Sequence, residues 1–584
     1  MCGIVAIFAY HSAAPPVDRD ELQRINTRML TRGPDAQGVW FSGDSRIGLG
    51  SRRLAIIDLS DDATQPMQDG ELTIVFNGEI YNYAELRAQL QRQGTRFRTT
   101  SDTEVLLHLF RRDGERMVEL LRGMYAFAIW DAEARRMFVA RDPYGIKPFF
   151  YADDGKTIRL ASQVKALLAG GAISRTPSAA GAAGFFLTGS VPEPFTVVDG
   201  IRAVEAGTSF WIDERGRHGE RRFYSLARVL RDANEARTIA ALTEPATMLH
   251  ERVEESIRYH LVADVPVAIF LSAGIDSTSI AALATRVSAE PLHTFTLQFP
   301  ELDAAQDEAP DAERFARHLV TRHMTRVVTR REFLDEMPRI FEAMDQPTID
   351  GVNTYFVSKA AREAGVKVAL SGVGGDELFG SYPSFRDVPR IVRMARLARG
   401  APRAFGTLAR ARSSNPKMTA IPAYGATYGG AYLVKRGLFM PDELPAVLGS
   451  EAAEEGLRVL DFLGRARAVL DPDPRTPFGR VATLEASLYM RNQLLRDSDW
   501  ASMAHSVEVR TPLVDAALVR QLAPLLLQRE AECKQDLARV LPPWLREHRK
   551  RGFFVPLKEW MELPPDGTTT RMRSWAKIVM ENVG

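Results

Sequence analysis

The chain has 584 residues, too many for a single hydrophobic core, so two or more domains are expected. Its 75 Lys and Arg against 74 Asp and Glu leave a formal charge of +1, which gives no electrostatic case for binding nucleic acid or an anionic membrane. Two cysteines, Cys2 and Cys533, exclude a disulfide framework and a cysteine-rich metal site, and no apolar run is long enough to span a membrane; a cytoplasmic enzyme is the expectation.

The chain opens "MCGIVAIF", a cysteine ahead of a β-like apolar run. Cys2 is either a small buried hydrophobe at the head of a strand or a nucleophile that becomes residue one after processing. The first two hundred residues carry strand and hairpin signals, with "LTIVFNGEIYNY" and "YAFAIWDAEARRMFVARDPYGIKPFFYA" broken by Asn-Gly and Tyr-Gly turns. Amphipathic helices such as "YAELRAQLQRQG" intervene, giving an α+β pattern over residues 2–212. A charged, irregular stretch over 213–240 reads as a linker. Over 241–584, apolar strands alternate with helices in "VPVAIFLSAGIDSTSIAALATR", "LHTFTLQF" and "AAREAGVKVALSGVGGDELF", which predicts a parallel α/β sheet. The remainder, from about Pro389, reads as mostly helical, and the arginines of Arg390 to Arg412 read as a solvated helical face.

Two turns in the second half carry chemistry. In "FLSAGIDSTS" a strand runs through small residues into a helix, so that backbone N–H groups and the helix N-terminus face one point, as phosphate binding requires. The Walker Gly-Lys-Ser/Thr pattern is absent. The stretch resembles the Ser-Gly-Gly-x-Asp-Ser pyrophosphate loop of enzymes that split ATP between its α and β phosphates. Ser272, Gly274, Asp276 and Ser277 match, and Ala273 replaces a glycine. "ALSGVGGDELFGSY" repeats the strand-to-glycine turn, and Asp276 and Asp376, each following a predicted strand, are candidates to converge on Mg²⁺. Lys550 stands in the basic segment "HRKRGFFVPLKEW".

Together with "TRGPD", "RRLAIIDL", "NGEIYNY", "SDTE", "DPYGIKP" and "SMAHSVEVRTPLVD", these motifs fall in the order found in glutamine-dependent asparagine synthetases, and the chain resembles that family over essentially its full length. The resemblance implies an N-terminal nucleophile glutaminase domain, with stacked antiparallel sheets between helices, fused to an ATP-pyrophosphatase domain. It implies Cys2 as nucleophile, Asn77 and Gly78 as oxyanion donors, and Arg53, Glu79 and Asp102 as the glutamine site. It further implies nucleotide contacts from Leu271, Ser272, Gly274, Ile275, Asp276, Ser277, Leu297, Ser371 and Gly372, with Lys550 aiding catalysis. ATP and Mg²⁺ are the implied cofactors, and ammonia is expected to pass through an internal tunnel. Glutamine, ATP and a carboxylic acid are the expected partners; a homodimer stays open.

Three departures stand out: Thr31 where a histidine is common, Gly375 for a serine, and Val373 where family members that make asparagine usually carry an acid. Val373 marks the acceptor pocket, and two readings follow. The acceptor is L-aspartate, or the same machinery amidates another carboxylate, such as a sugar uronate or a natural-product acid. A scaffold that has lost turnover is a third reading, opposed by the presence of the reactive residues. A sugar-phosphate amidotransferase is excluded by the pyrophosphate loop.

Overall fold

The computed structural model describes residues 2–236, 245–303, 306–398, 416–546, 555–562 and 568–584. In chain order the first strands are β1 (Gly3–Phe8), β2 (Ala36–Phe41), β3 (Ile47–Arg53), β4 (Met67–Asp69), β5 (Leu72–Ile80) and β6 (Gly123–Asp131). They are followed by β7 (Arg136–Arg141), β8 (Phe150–Asp153), β9 (Ile158–Ala161), β10 (Ile201–Ala203), β11 (Thr208–Asp213) and β12 (Gly216–Arg222). These build two antiparallel sheets, ordered β10-β8-β9-β1-β3-β2 and β12-β11-β7-β6-β5-β4.

Side-chain alternation explains the stacking. Ile4, Ala6 and Phe8 point to the inner face and pack with Val75, Ala126 and Ala128 of the second sheet. Val5 and Ile7 point the other way, toward Leu22 and Ile25 on the Arg19–Arg28 helix. Ile74 and Phe76 meet Leu106 and Leu109 on the Asp102–Asp113 helix, on the far face of the second sheet. Each strand is therefore covered on both faces, which is why "GIVAIF" can be apolar without a break.

The charged stretch read as an irregular linker is ordered at its start. β12 closes the edge of the second sheet, and the Leu226–Glu235 helix follows. An edge strand tolerates charge because one side of it meets water. Residues 237–240 of that stretch lie outside the described residues.

The second half holds β13 (Val267–Phe270), β14 (His293–Gln298), β15 (Arg322–Val327), β16 (Val368–Leu370) and β17 (Glu508–Arg510), all parallel, in the order β15-β14-β13-β16-β17. Beyond Pro389 the described residues are mostly helical, as expected, and β17 is the exception. Its Glu508 and Arg510 are fully buried and bonded to each other at 2.6 Å, so residues that read as surface lie in the interior. Arg390, Arg393 and Arg396 are exposed on the Pro383–Ala398 helix, as expected of a solvated face; 399–412 lie outside the described residues. Strand order turns one way from β13 and the other from β16, so the crevice beyond their C-terminal ends is a topological switch point, where ligands of open α/β sheets bind.

Candidate functional site

The nucleophile candidate sits at the head of β1, between the two stacked antiparallel sheets. Cys2 precedes β1, and its backbone N–H donates to Asn77 Oδ1 at 3.0 Å, across from β5 of the other sheet. Asn77 Nδ2 is buried with no hydrogen-bond partner among the described residues, a donor free to meet a developing oxyanion. Gly78 follows, its backbone so close to β6 that a Cβ would lie 2.1 Å from the Met124 carbonyl oxygen. Burial raises the Cys2 thiol above its ordinary range, opposed by a hydrogen bond from the Leu54 backbone. A base is therefore needed to make the thiolate.

The expected glutamine-binding residues surround it. Asp102, in the first turn of its helix, accepts from Ile80 N–H at 3.0 Å, and burial pushes its carboxyl up to about 6. Burial, followed by the neighbouring Glu508 and Asp102 charges, raises Glu79 well above the usual carboxylate range. Arg53 is nearly inaccessible and donates to the carbonyls of Ser60 at 2.9 Å, Ile57 at 3.3 Å and Asp58. Its guanidinium thus shapes the 57–60 loop, and a substrate carboxylate would compete with these carbonyls.

The second cluster lies at the switch point. β13 leads through Leu271 into the turn Ser272–Gly274, and the Ile275–Val287 helix starts at once. Ser272 and Ser277 share a hydrogen bond at 2.8 Å, and Gly274 N–H donates to Ser272 Oγ at 3.2 Å. The Ala273 N–H donates to Glu308 Oε2 at 3.3 Å. From β16, Ser371 and Gly372 run beside this turn; a Cβ on Gly372 would lie 2.9 Å from Ser277 N. Leu297 is buried on neighbouring β14, and Val373 is half-buried next to Gly372.

Asp276 and Asp376 do converge, and the group between them is Lys534. Its ammonium lies 2.9 Å from Asp276 Oδ2 and 2.6 Å from Asp376 Oδ1. Burial works against the charge on Lys534, but the two carboxylates outweigh it and hold the ammonium above lysine's ordinary range. Asp276 lies over Gly375, where a Cβ would come within 2.4 Å of its Cγ; the glycine that departs from the family's serine makes room for this carboxylate. Lys550 lies outside the described residues.

A glutamine amidotransferase family model matches residues 1–224, and an asparagine synthase model matches residues 248–573. The chain belongs to the glutamine-hydrolysing asparagine synthetase family. It is similar to an asparagine synthetase [glutamine-hydrolyzing] 1 of Bacillus subtilis, 29% identical over 100% of this chain and 90% of that one. A putative asparagine synthetase of Mycobacterium tuberculosis is 32% identical over 96% of this chain and 88% of its own length. The amidase chry2 of Gibberella zeae is 32% identical over 66% of this chain and 60% of its own. The chain is accordingly an ATP-dependent ligase carrying a glutamine amidotransferase domain.

Sequence reasoning missed the residues that join the glutaminase and synthetase halves. Arg32, fully buried, donates through Nε to the Cys2 carbonyl at 3.2 Å and through both terminal nitrogens to Asp499, at 2.6 and 2.9 Å. Arg510 of β17 lies 3.6 Å from Glu79 and bonds the carbonyls of His260 and Val262. Thr31 gives its carbonyl to Ser506 Oγ at 2.6 Å. Beside these polar bridges runs an apolar seam in which Leu54, Ile56 and Ile57 of the glutaminase half pack on Val368 and Met503. Arg32 and Thr31 stood inside the quoted motif "TRGPD", but nothing in that motif names a partner more than 450 positions away.

Proposed function

We propose that the chain releases ammonia from glutamine at Cys2 and transfers it to a carboxylic acid adenylated in the crevice between β13 and β16, most simply converting L-aspartate to L-asparagine. The observation that carries the reading is Arg32, one buried side chain that binds both the nucleophile's own carbonyl and the synthetase half. With Met1 removed, the α-amine of Cys2, of ordinary pKa about 7.7–8.0, takes the thiol proton at neutral pH. The thiolate attacks the glutamine side-chain carbonyl while Asn77 Nδ2 and the Gly78 N–H hold the oxyanion; the C–N bond breaks as the α-ammonium returns its proton to the departing ammonia, and water cleaves the thioester to glutamate. Asp102 holds the substrate ammonium, Arg53 its carboxylate, and Glu79 lines the same loop. Ammonia passes between the halves beside the Leu54–Met503 seam, whose apolar side chains would keep it unprotonated.

In the crevice an acceptor carboxylate oxygen attacks the α-phosphorus of ATP and pyrophosphate departs; ammonia then attacks the acyl carbon of the adenylate, loses a proton, and AMP leaves. Ser272, Gly274, Ile275 and Ser277 cradle the phosphates, and Leu271, Leu297, Ser371 and Gly372 bound the nucleotide. Lys534 and Lys550 offset the charge of the leaving group. Two carboxylates around a buried cation suit a hard divalent ion, and among the described residues no group of three His, Cys, Asp or Glu exists, leaving further coordination to phosphate and water. Asp276 and Asp376 would hold Mg²⁺, which supplies charge neutralisation for pyrophosphate. Among the described residues no helix is long and apolar enough to cross a membrane. The cytoplasm, which supplies ATP and glutamine, is the compartment we assign.

Val373 favours a second reading, in which the same machinery amidates another carboxylate. A valine offers an acceptor an apolar contact and neither a charge nor a proton. Incubation with glutamine, ATP and candidate acids, followed by pyrophosphate release, decides between the two. Efficient aspartate-dependent release supports asparagine synthesis; release with another acid and none with aspartate supports the alternative.

A further inference from the structure

A cavity of about 130 Å³ lies between the glutaminase and synthetase halves, and neither Cys2 nor the phosphate turn lines it. One wall holds Tyr144 and Tyr224, within the glutamine amidotransferase match; the other holds Arg465, Ser487 and Arg491, within the asparagine synthase match. Arg491 rides on a π-helical segment, Glu485–Leu495, set between the Pro477–Leu484 and Arg496–Met503 helices. Such segments are rare and occur frequently at functional sites. Here the five-residue step of the π-helix places both Ala486 and Arg491 on the cavity wall.

The acids around this cavity do not account for all of its cations. Glu205 pairs with Arg222, and Glu193 lies 2.9 Å from Arg141 and 3.8 Å from Arg496. Asp471 stands exposed at the rim. Arg491 is tethered through Nε alone, to the Tyr144 carbonyl at 3.1 Å, and Arg465 through Nε alone, to the Leu460 carbonyl at 2.9 Å. Neither has a carboxylate partner among the described residues, so the terminal nitrogens of both forks are uncommitted. Arg202 and Arg465 lie over the same Phe195 ring, which brings a third cation close. Desolvation holds Arg465 and Arg491 below arginine's ordinary range, although Glu193 and Glu205 offset part of it. A guanidinium drawn out of water without a counter-charge is unfavourable, and a carboxylate or phosphate satisfies it through two parallel hydrogen bonds. Cavities of this size take up molecules as large as benzene, which leaves room for phosphate or a short dicarboxylate.

We propose that this cavity binds a small dianion of the phosphate or dicarboxylate class between the Arg465 and Arg491 forks, at a site separate from both reaction centres. Because its walls come from both halves, the anion is held only while they are docked, and its binding stabilises the docked enzyme.

The test is calorimetric titration of the full chain with inorganic phosphate and, separately, with succinate, without ATP and at constant ionic strength, chloride serving as the control. One site per chain is expected for at least one of the two. Phosphate alone assigns the phosphate class, succinate alone the dicarboxylate class. Arg491→Gln and Arg465→Gln should each weaken that binding at least about tenfold. Without the anion, the thermal midpoint of Arg491→Gln should equal or exceed that of the parent, because an unpaired cation has been removed. The rise in midpoint that the anion gives the parent should be absent in the variant. Glutamine hydrolysis and pyrophosphate release, measured without the anion, should stay within about twofold of the parent in both variants, since neither arginine faces a reaction centre. Binding of neither anion would overturn the proposal. So would binding that persists undiminished in both variants, which would place the anion in the phosphate crevice instead. A fall in the anion-free midpoint of Arg491→Gln with anion binding retained would reduce Arg491 to its bond with Tyr144 and overturn the proposal as well.

Discussion

Lys534 and Asp376 stand 2.6 Å apart although 158 positions separate them, and the same ammonium also reaches Asp276. The long Ala516–Leu537 helix thus sets a fixed positive charge between Asp276 and Asp376, beside the phosphate turn. A cation placed ahead of the reaction needs no reorganisation when the pyrophosphate charge develops.

Lys534→Met should therefore lower ATP-dependent pyrophosphate release by about 10²–10³-fold. Glutamine hydrolysis should change by less than about twofold, because Cys2 lies in the other half. A pyrophosphate rate within a few-fold of the unsubstituted enzyme would show that Lys534 only holds the acids in place.

Cys2→Ala should abolish synthesis from glutamine yet retain it with added ammonium salts. The nucleophile serves only the release of ammonia, and the crevice residues are unaltered. Parallel loss with both nitrogen sources, measured as product formed, would exclude two separate sites.

Asp102 fixes the acid limb of the glutaminase. Its carboxyl titrates at about 6 and must be ionised to hold the glutamine ammonium. kcat/KM for glutamine should accordingly fall about tenfold per pH unit below that value. Stability has the opposite sign: the native pKa lies above the unfolded value of about 3.9, so the folded state binds this proton first. Its contribution to stability improves as pH falls from 6 to 4 and is lost as pH rises through 6. A pH profile of Asp102→Asn that keeps the same limb would assign it to another group.

Gly375→Ser would bring a Cβ to 2.4 Å from Asp276 Cγ and force that carboxylate away from Lys534. Pyrophosphate release should drop at least about tenfold with glutaminase intact. A fully active variant would show that Asp276 has a second productive position.

Arg32→Ala leaves Asp499 buried and unpaired, and breaking such a pair costs about 3–5 kcal/mol. Thermal unfolding should move to lower temperature. Asp499→Asn, which keeps a hydrogen-bond acceptor for Arg32 but removes its counter-charge, should destabilise less than Arg32→Ala and raise the glutamine consumed per pyrophosphate formed. A ratio that stays at the parent value would limit Arg32 to a structural part.

Local patterns were enough to mark much of this architecture. The bounded apolar, β-branched runs "GIVAIF" and "LTIVFNGEI", and the strand–turn–helix of "FLSAGIDSTS", are short-range signals of buried strands and of glycine or small residues at tight turns. They located β1, β5, β13 and the phosphate turn, and the ordered motifs placed Cys2, Asn77, Asp276 and Asp376 as candidates. Tertiary structure decided what those patterns cannot encode. β17 is three residues of two buried opposite charges around a valine, invisible to any hydropathy period. Lys534 looks like an ordinary surface lysine until its helix docks on the crevice. Arg32 and Asp499 acquire meaning only when segments 467 positions apart bring opposite charges out of water against each other. Burial and pairing of charge depend on what surrounds a residue in space, and sequence neighbours do not supply that.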